Sequence, residues 1–169
     1  LKRNPKDEGN NRRRFFKNPI KPNICKLENI NFSEDEIQEY RQFIGAEIFN
    51  DLQPALSDFE QADTLGSLIQ PTLKAPAQLA NTLANTANKD SQGQLFIKEI
   101  QYKVLQLLAQ SQYLRQKYDC VIANPPYMGK LSKITGLDKF VKNEYPNSKS
   151  DLFAIFIERG LKWLEPHGF

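Results

Sequence analysis

Ten residues constrain this chain more than any others: the short apolar run Tyr118-Asp119-Cys120-Val121-Ile122-Ala123 passes directly into Asn124-Pro125-Pro126-Tyr127. A brief apolar run of this kind, following a long helical pattern, predicts a buried parallel strand. The two prolines fix φ at consecutive positions and remove two N–H donors, so a sheet ladder must stop at Asn124. With proline at about 5% of residues, Asn-Pro-Pro-aromatic arises by chance in fewer than about 1% of chains this long. In parallel sheets ligands bind beyond the carboxyl ends of the strands, which makes Asn124, Pro125, Pro126 and Tyr127 candidate site residues.

The remaining pattern alternates helical and strand-like signals. Ile24 and Leu27 give residues 22–28 weak strand character. Ser33 with Glu36 matches a capping box, and Ile37, Tyr40, Ile44 and Ile48 then recur at helical spacing, predicting a helix over about 34–50. Leu65 to Ile69, ending at Pro71, reads as a short strand or turn, and residues 71–92 as a connector or weak helix. Phe96, Ile100, Val104, Leu107, Leu108 and Leu114 fit one face of a long helix over 93–116. After the loop from Asn124 to Gly136, helices are expected near 137–144 and 150–164. This order predicts an α/β fold, a mainly parallel sheet with flanking helices.

At 169 residues, 40% hydrophobic and 25% charged, the chain matches ordinary globular usage and neither a disordered nor a membrane protein. Residues 1–21 lack the apolar stretch of a signal peptide, so a cytoplasmic location is expected. The net charge of +3 is unevenly placed: residues 1–22 hold eight Lys or Arg against Asp7 and Glu8. There Arg12, Arg13, Arg14 and Lys17, interleaved with Phe15 and Phe16, suit phosphate contact and base stacking, a solvated connector being the plain alternative. Residues 1–22 are accordingly set apart, as a basic connector or the end of a helix, from 23–169, which are expected to form the central and C-terminal part of a single catalytic domain. Cys25 and Cys120 have no metal-ligand spacing and sit in apolar runs, where cysteine is expected as a small buried hydrophobe. His167, the only histidine, leaves histidine-based nucleophile and metal sites without material. A start at Leu1 and an end just after the turn-like Glu165-Pro166-His167-Gly168 give the expectation of a segment cut at both ends.

The strand running into Asn124-Pro125-Pro126-Tyr127 resembles the amino-methyltransferase superfamily, whose catalytic Asn/Asp/Ser-Pro-Pro-aromatic motif follows the fourth strand of a Rossmann-like sheet. Asp151-Leu152-Phe153 with Phe156 and Glu158, and Leu164 to Gly168, look like its next helix and the turn into its fifth strand. Arg12 to Phe16, Pro22 to Cys25, Gly66 to Ile69, Asn124 to Gly129 and Tyr145 to Phe153 are together similar to the adenine-specific (N6) DNA methyltransferases of BREX phage-defence systems. The resemblance implies a partial Rossmann-like methyltransferase fold, S-adenosyl-L-methionine as methyl donor, double-stranded DNA with a flipped-out adenine as substrate, and other defence-system proteins as partners. It implies that the Asn124 side-chain oxygen and the Pro125 carbonyl accept the two amino hydrogens of adenine, and that Tyr127 stacks on the base.

The Gly-rich cofactor loop and acidic ribose contact of that family lie before the segment matched here, and its target-recognition region lies after it. Glu28, Asn29 and Asp63 are candidates for a contact to the cofactor adenine. Enzymes that methylate a glutamine amide in protein or an amine in RNA use the same tetrapeptide, and a non-catalytic nucleic-acid-binding fragment is a further alternative. A parallel sheet without its first strands would expose an edge, so the isolated segment is expected to be inactive and poorly stable.

Overall fold

Apolar residues recur at helical spacing through most of this chain, and helices are what form. The computed structural model describes residues 22–90 (86–90 as backbone only), 95–125 and 136–169. Helix α1 spans Glu34–Ile44 and starts with a complete capping box: the Glu36 N–H donates to Ser33 Oγ at 3.2 Å, and the Ser33 N–H to Glu36 Oε2 at 2.8 Å. At Gly45, φ is +85°, a conformation open to glycine, and α2 begins directly afterwards as Ala46–Leu52. The single helix expected over 34–50 is therefore two helices. Short turns lead through α3, Ala62–Leu65, and a 3₁₀ turn at Gly66–Leu68 to α4, Pro76–Asp90, and the long α5, Leu95–Arg115. Helix α6 is Leu137–Glu144. Helix α7 is Leu152–Trp163, with Asp151 accepting from the Phe153 N–H at 3.0 Å as its N-cap.

Two apolar clusters follow from these stripes. The larger joins α1, α2, α4 and α5 through residues such as Phe49, Leu52, Phe59, Leu83, Val104 and Leu107, each 2% exposed or less. The smaller lies under α6 and α7 and holds Leu68, Leu137, Val141, Tyr145, Leu152 and Ile155; Leu65 packs against both. Tyr40, 2% exposed in the larger cluster, has a hydroxyl without a hydrogen-bond partner among the described residues. Leaving a buried hydroxyl unbonded costs about 1–3 kcal/mol. Tyr40→Phe is accordingly expected to stabilise the protein by roughly 1 kcal/mol, read as a higher denaturant midpoint; a loss of stability would mean that the hydroxyl is bonded.

The expected α/β architecture is not what the described residues adopt: they form helices and no β-sheet. One isolated parallel bridge, Tyr118 to Leu164, is the sole strand-type pairing assigned among them. The reason lies in where the backbone groups are satisfied. Residues 22–28 run extended, but side chains of α5 bond them: Tyr113 Oη donates to the Asn23 carbonyl at 2.6 Å. Gln110 Oε1 accepts from the Glu28 N–H at 2.7 Å. Of the alternatives the sequence leaves open, residues 65–69 take the turn, closing α3 and forming the 3₁₀ turn, and the stretch 71–92 takes the helix, Pro76–Asp90. Nor are the cysteines buried: Cys120 is exposed and Cys25 half-exposed, both as free thiols. Residues 1–21, with the basic cluster, lie outside the described residues. No helix among the described residues is long and apolar enough to cross a membrane.

Candidate active site

The segment predicted as the site strand leaves the end of α5, bends at Asp119 and continues without helix to Pro125. Its first residues are pinned to the end of α7 and the turn beyond. The Tyr118 N–H donates to the Trp163 carbonyl at 2.8 Å and the Glu165 N–H to the Tyr118 carbonyl at 3.0 Å. The Phe169 N–H then donates to the Asp119 carbonyl at 3.0 Å and the Val121 N–H to the Phe169 carbonyl at 3.1 Å. Pairing of the parallel type thus starts at Leu164, is interrupted by the turn at 165–168, and resumes at Phe169.

Cys120 and Ile122 line a cavity of ≈ 290 Å³ that also borders Cys25 and Leu27. Ala123 and Pro125 line a groove of ≈ 360 Å³ against Phe153, Phe156 and Ile157 of α7. Both faces of the segment are apolar, and Ile122 is 92% exposed. Asn124 stands exposed between Ala123 and Pro125. Pro126 and Tyr127 lie outside the described residues.

Two glycines set how closely the neighbouring chain approaches this segment. A Cβ at Gly160 of α7 would meet Val121 Cγ1 at 3.7 Å, ordinary contact. At Gly168 it would lie 2.9 Å from the Asp119 carbonyl oxygen, 3.0 Å from Leu164 Cδ2 and 3.1 Å from the Tyr118 carbonyl oxygen. Backbone oxygens cannot swing aside as a side chain can, so Gly168→Ala must push the 165–168 turn away from the segment. The expected cost is about 1–3 kcal/mol, and hydrogen exchange at the Val121 amide should accelerate; unchanged exchange there would contradict this close approach.

A third support was not visible from local pattern. Arg159 of α7 is 4% exposed. Its Nε donates to the Ser67 carbonyl at 3.0 Å, and its Nη2 to the Ile69 carbonyl at 2.7 Å and the Leu114 carbonyl at 3.0 Å. Its guanidinium lies 4.2 Å from the centre of the Trp163 ring, and Trp163 Nε1 also donates to the Leu114 carbonyl at 2.6 Å. Burial pulls the Arg159 pKa below the ordinary guanidinium value. Between Ser67 and Ile69, the Leu68 carbonyl accepts from Tyr145 Oη at 2.6 Å. Burial pushes the Tyr145 pKa up to about 12, so the hydroxyl remains a donor at neutral pH. The available signal was an arginine on the apolar stripe Leu152, Ile155, Phe156, Arg159 and Trp163.

The cofactor candidates occupy bonded positions. Glu28 accepts from Gln106 Nε2 at 2.7 Å and pairs with Lys26, whose hydrogen bond and charge hold its carboxyl below the usual range. Asn29 Oδ1 accepts from the Asp63 N–H at 2.9 Å, which joins two of the three candidates. These bonds explain the three residues as local fastenings. Arg12, Arg13, Arg14 and Lys17 lie outside the described residues.

A family model described as the Eco57I restriction-modification methylase matches residues 15–169. The adenine-specific methyltransferase BrxX of Escherichia coli O9:H4 (strain HS) is 38% identical over 118 residues, 70% of this chain and 10% of BrxX. The adenine-specific methyltransferase PglX of Lacticaseibacillus casei (strain Zhang) is 30% identical over 157 residues, 87% of this chain and 12% of PglX. The chain thus spans about a tenth of the length of the curated relatives it matches. With the family model covering nearly every residue from Phe15 onward, this chain belongs to the Eco57I restriction-modification methylase family.

Proposed function

We propose that this chain carries the target-base half of an adenine-N6 DNA methyltransferase acting in phage defence or restriction-modification. The observation that carries this reading is Asn124, exposed at the end of a non-helical segment that is pinned at Tyr118, Asp119 and Val121 and followed by Pro125. The exocyclic amine of adenine is a poor nucleophile because its lone pair is delocalised into the ring. Two acceptors held at fixed positions, the Asn124 side-chain oxygen and the Pro125 carbonyl, draw the two amino hydrogens out of the ring plane and localise that lone pair on nitrogen. Because the acceptors are positioned before the base arrives, they cost no reorganisation during the reaction. S-adenosyl-L-methionine, when bound, supplies an electrophilic methyl group. As the C–N bond forms, the bond between that methyl and the sulfonium sulfur would break, the neutral thioether S-adenosylhomocysteine would leave, and one amino proton would pass to water. The base must be flipped from the duplex to reach this site, and Tyr127 is placed in sequence to stack on it.

The test is to express the full-length gene and its Asn124→Ala version in a host lacking adenine methylation and to sequence the genomic DNA for N6-methyladenine. A defined motif methylated only by the protein retaining Asn124 is the expected result. Unmodified adenine throughout would overturn the DNA assignment, and mass spectrometry of the same cells would then look for methylation of a glutamine amide or an RNA amine.

A further inference from the structure

Resting on that reading, we infer that the turn Ser67–Ile69 is a template that holds both flanks of the catalytic loop, with Arg159 and Tyr145 as its positioning residues. All three consecutive carbonyls of this turn are occupied by side chains from beyond the loop: Arg159 takes Ser67 and Ile69, and Tyr145 takes Leu68. The same Arg159 reaches back to the Leu114 carbonyl, four residues before the site segment starts at Tyr118. Tyr145 directly follows α6, the first helix after the loop. Arg159 therefore ties the turn to the chain entering the loop at Leu114, and Tyr145 ties it to the chain leaving the loop. Further bonds join the same stretch: Arg115 Nη1 donates to the Pro71 carbonyl at 3.1 Å, and Lys162 Nζ to Gln70 Oε1 at 3.1 Å. No carboxylate bonds Arg159 among the described residues, so its planar fork is matched to carbonyl geometry rather than to a charge. Lysine, with a single ammonium, cannot reproduce that fork.

The experiment compares Arg159→Lys, Tyr145→Phe and the exposed control Lys142→Ala in the full-length protein, each assayed well below its own unfolding midpoint. Small displacements of reacting groups cost catalysis steeply, so Arg159→Lys should lower kcat by roughly tenfold or more and Tyr145→Phe by roughly threefold to tenfold. KM for DNA should stay within about twofold, because ground-state binding is left in place. Amide exchange at Tyr118 and Val121 should accelerate in both variants and not in the control. A kcat within about twofold of the parent in both folded variants, or unchanged exchange at those amides, would overturn the template. If the parent methylates no adenine, or Asn124→Ala keeps full activity, the proposed function fails instead, and the exchange measurement still decides the template.

Discussion

Asn124→Ala is expected to lower the turnover number of the full-length enzyme by roughly 10²–10³ while leaving its affinity for duplex DNA nearly unchanged. The size follows from what the side chain does. In the proposed mechanism one of two preorganised acceptors disappears, and its stabilisation develops only as the amine nitrogen becomes tetrahedral, which is the signature of a group that raises kcat rather than lowering KM. Alanine is also safe for the fold: Asn124 is exposed, and the neighbouring segment is held by backbone bonds at Tyr118, Asp119 and Val121 that the substitution leaves intact. Single-turnover methylation of an unmodified duplex, with binding measured separately, isolates the effect. Asn124→Asp keeps an acceptor in place and should retain more activity than Asn124→Ala. Equal rates for the parent and both variants would remove the acceptor role altogether.

Most helices were legible because their information is local. The Ser33–Glu36 capping box lies within four residues of chain, and the stripes of α5, α6 and α7 repeat at spacings of three and four. The break at Gly45 was missed because the apolar stripe runs straight through it; only a residue at positive φ interrupts the ladder there. The sheet was misjudged for the opposite reason. An apolar run such as 118–123 reports that the segment avoids water, not which backbone will pair with it, and pairing is a property of distant partners. Here the partners of residues 22–28 are glutamine and tyrosine side chains of α5, and those of 118–121 are the few residues around 163–169. At the candidate site, Asn124 and Pro125 announced themselves through a rare tetrapeptide. Tyr145 and Arg159 did not, since they act on carbonyls 77, 92 and 90 positions away in sequence.

Arg159→Ala is expected to destabilise the site region by about 3–5 kcal/mol, from carbonyls left without donors together with the cavity that remains. Alanine strips the Ser67 and Ile69 carbonyls of the donors described above, removes the cation stacked on Trp163 and leaves a cavity between α7 and the 3₁₀ turn. The Leu114 carbonyl loses one of its two donors and keeps Trp163 Nε1, so the end of α5 is loosened rather than released and the damage concentrates on the turn and the segment that follows α5. Since tenfold corresponds to about 1.4 kcal/mol, exchange of the Tyr118 and Val121 amides should accelerate by roughly 10²–10⁴. Arg159→Met fills the volume but offers no donor, and should fall between Arg159→Ala and the parent. Lys142→Ala is the contrast: Lys142 meets Asp138 at 2.7 Å with both side chains well exposed, and such pairs contribute about 0.5 kcal/mol or less. The two arginine variants and the lysine variant remove equal charge. If charge alone stabilised this region, the three would behave alike; a large effect confined to Arg159, graded by what remains in its place, assigns the stabilisation to the bonded carbonyls and the filled volume.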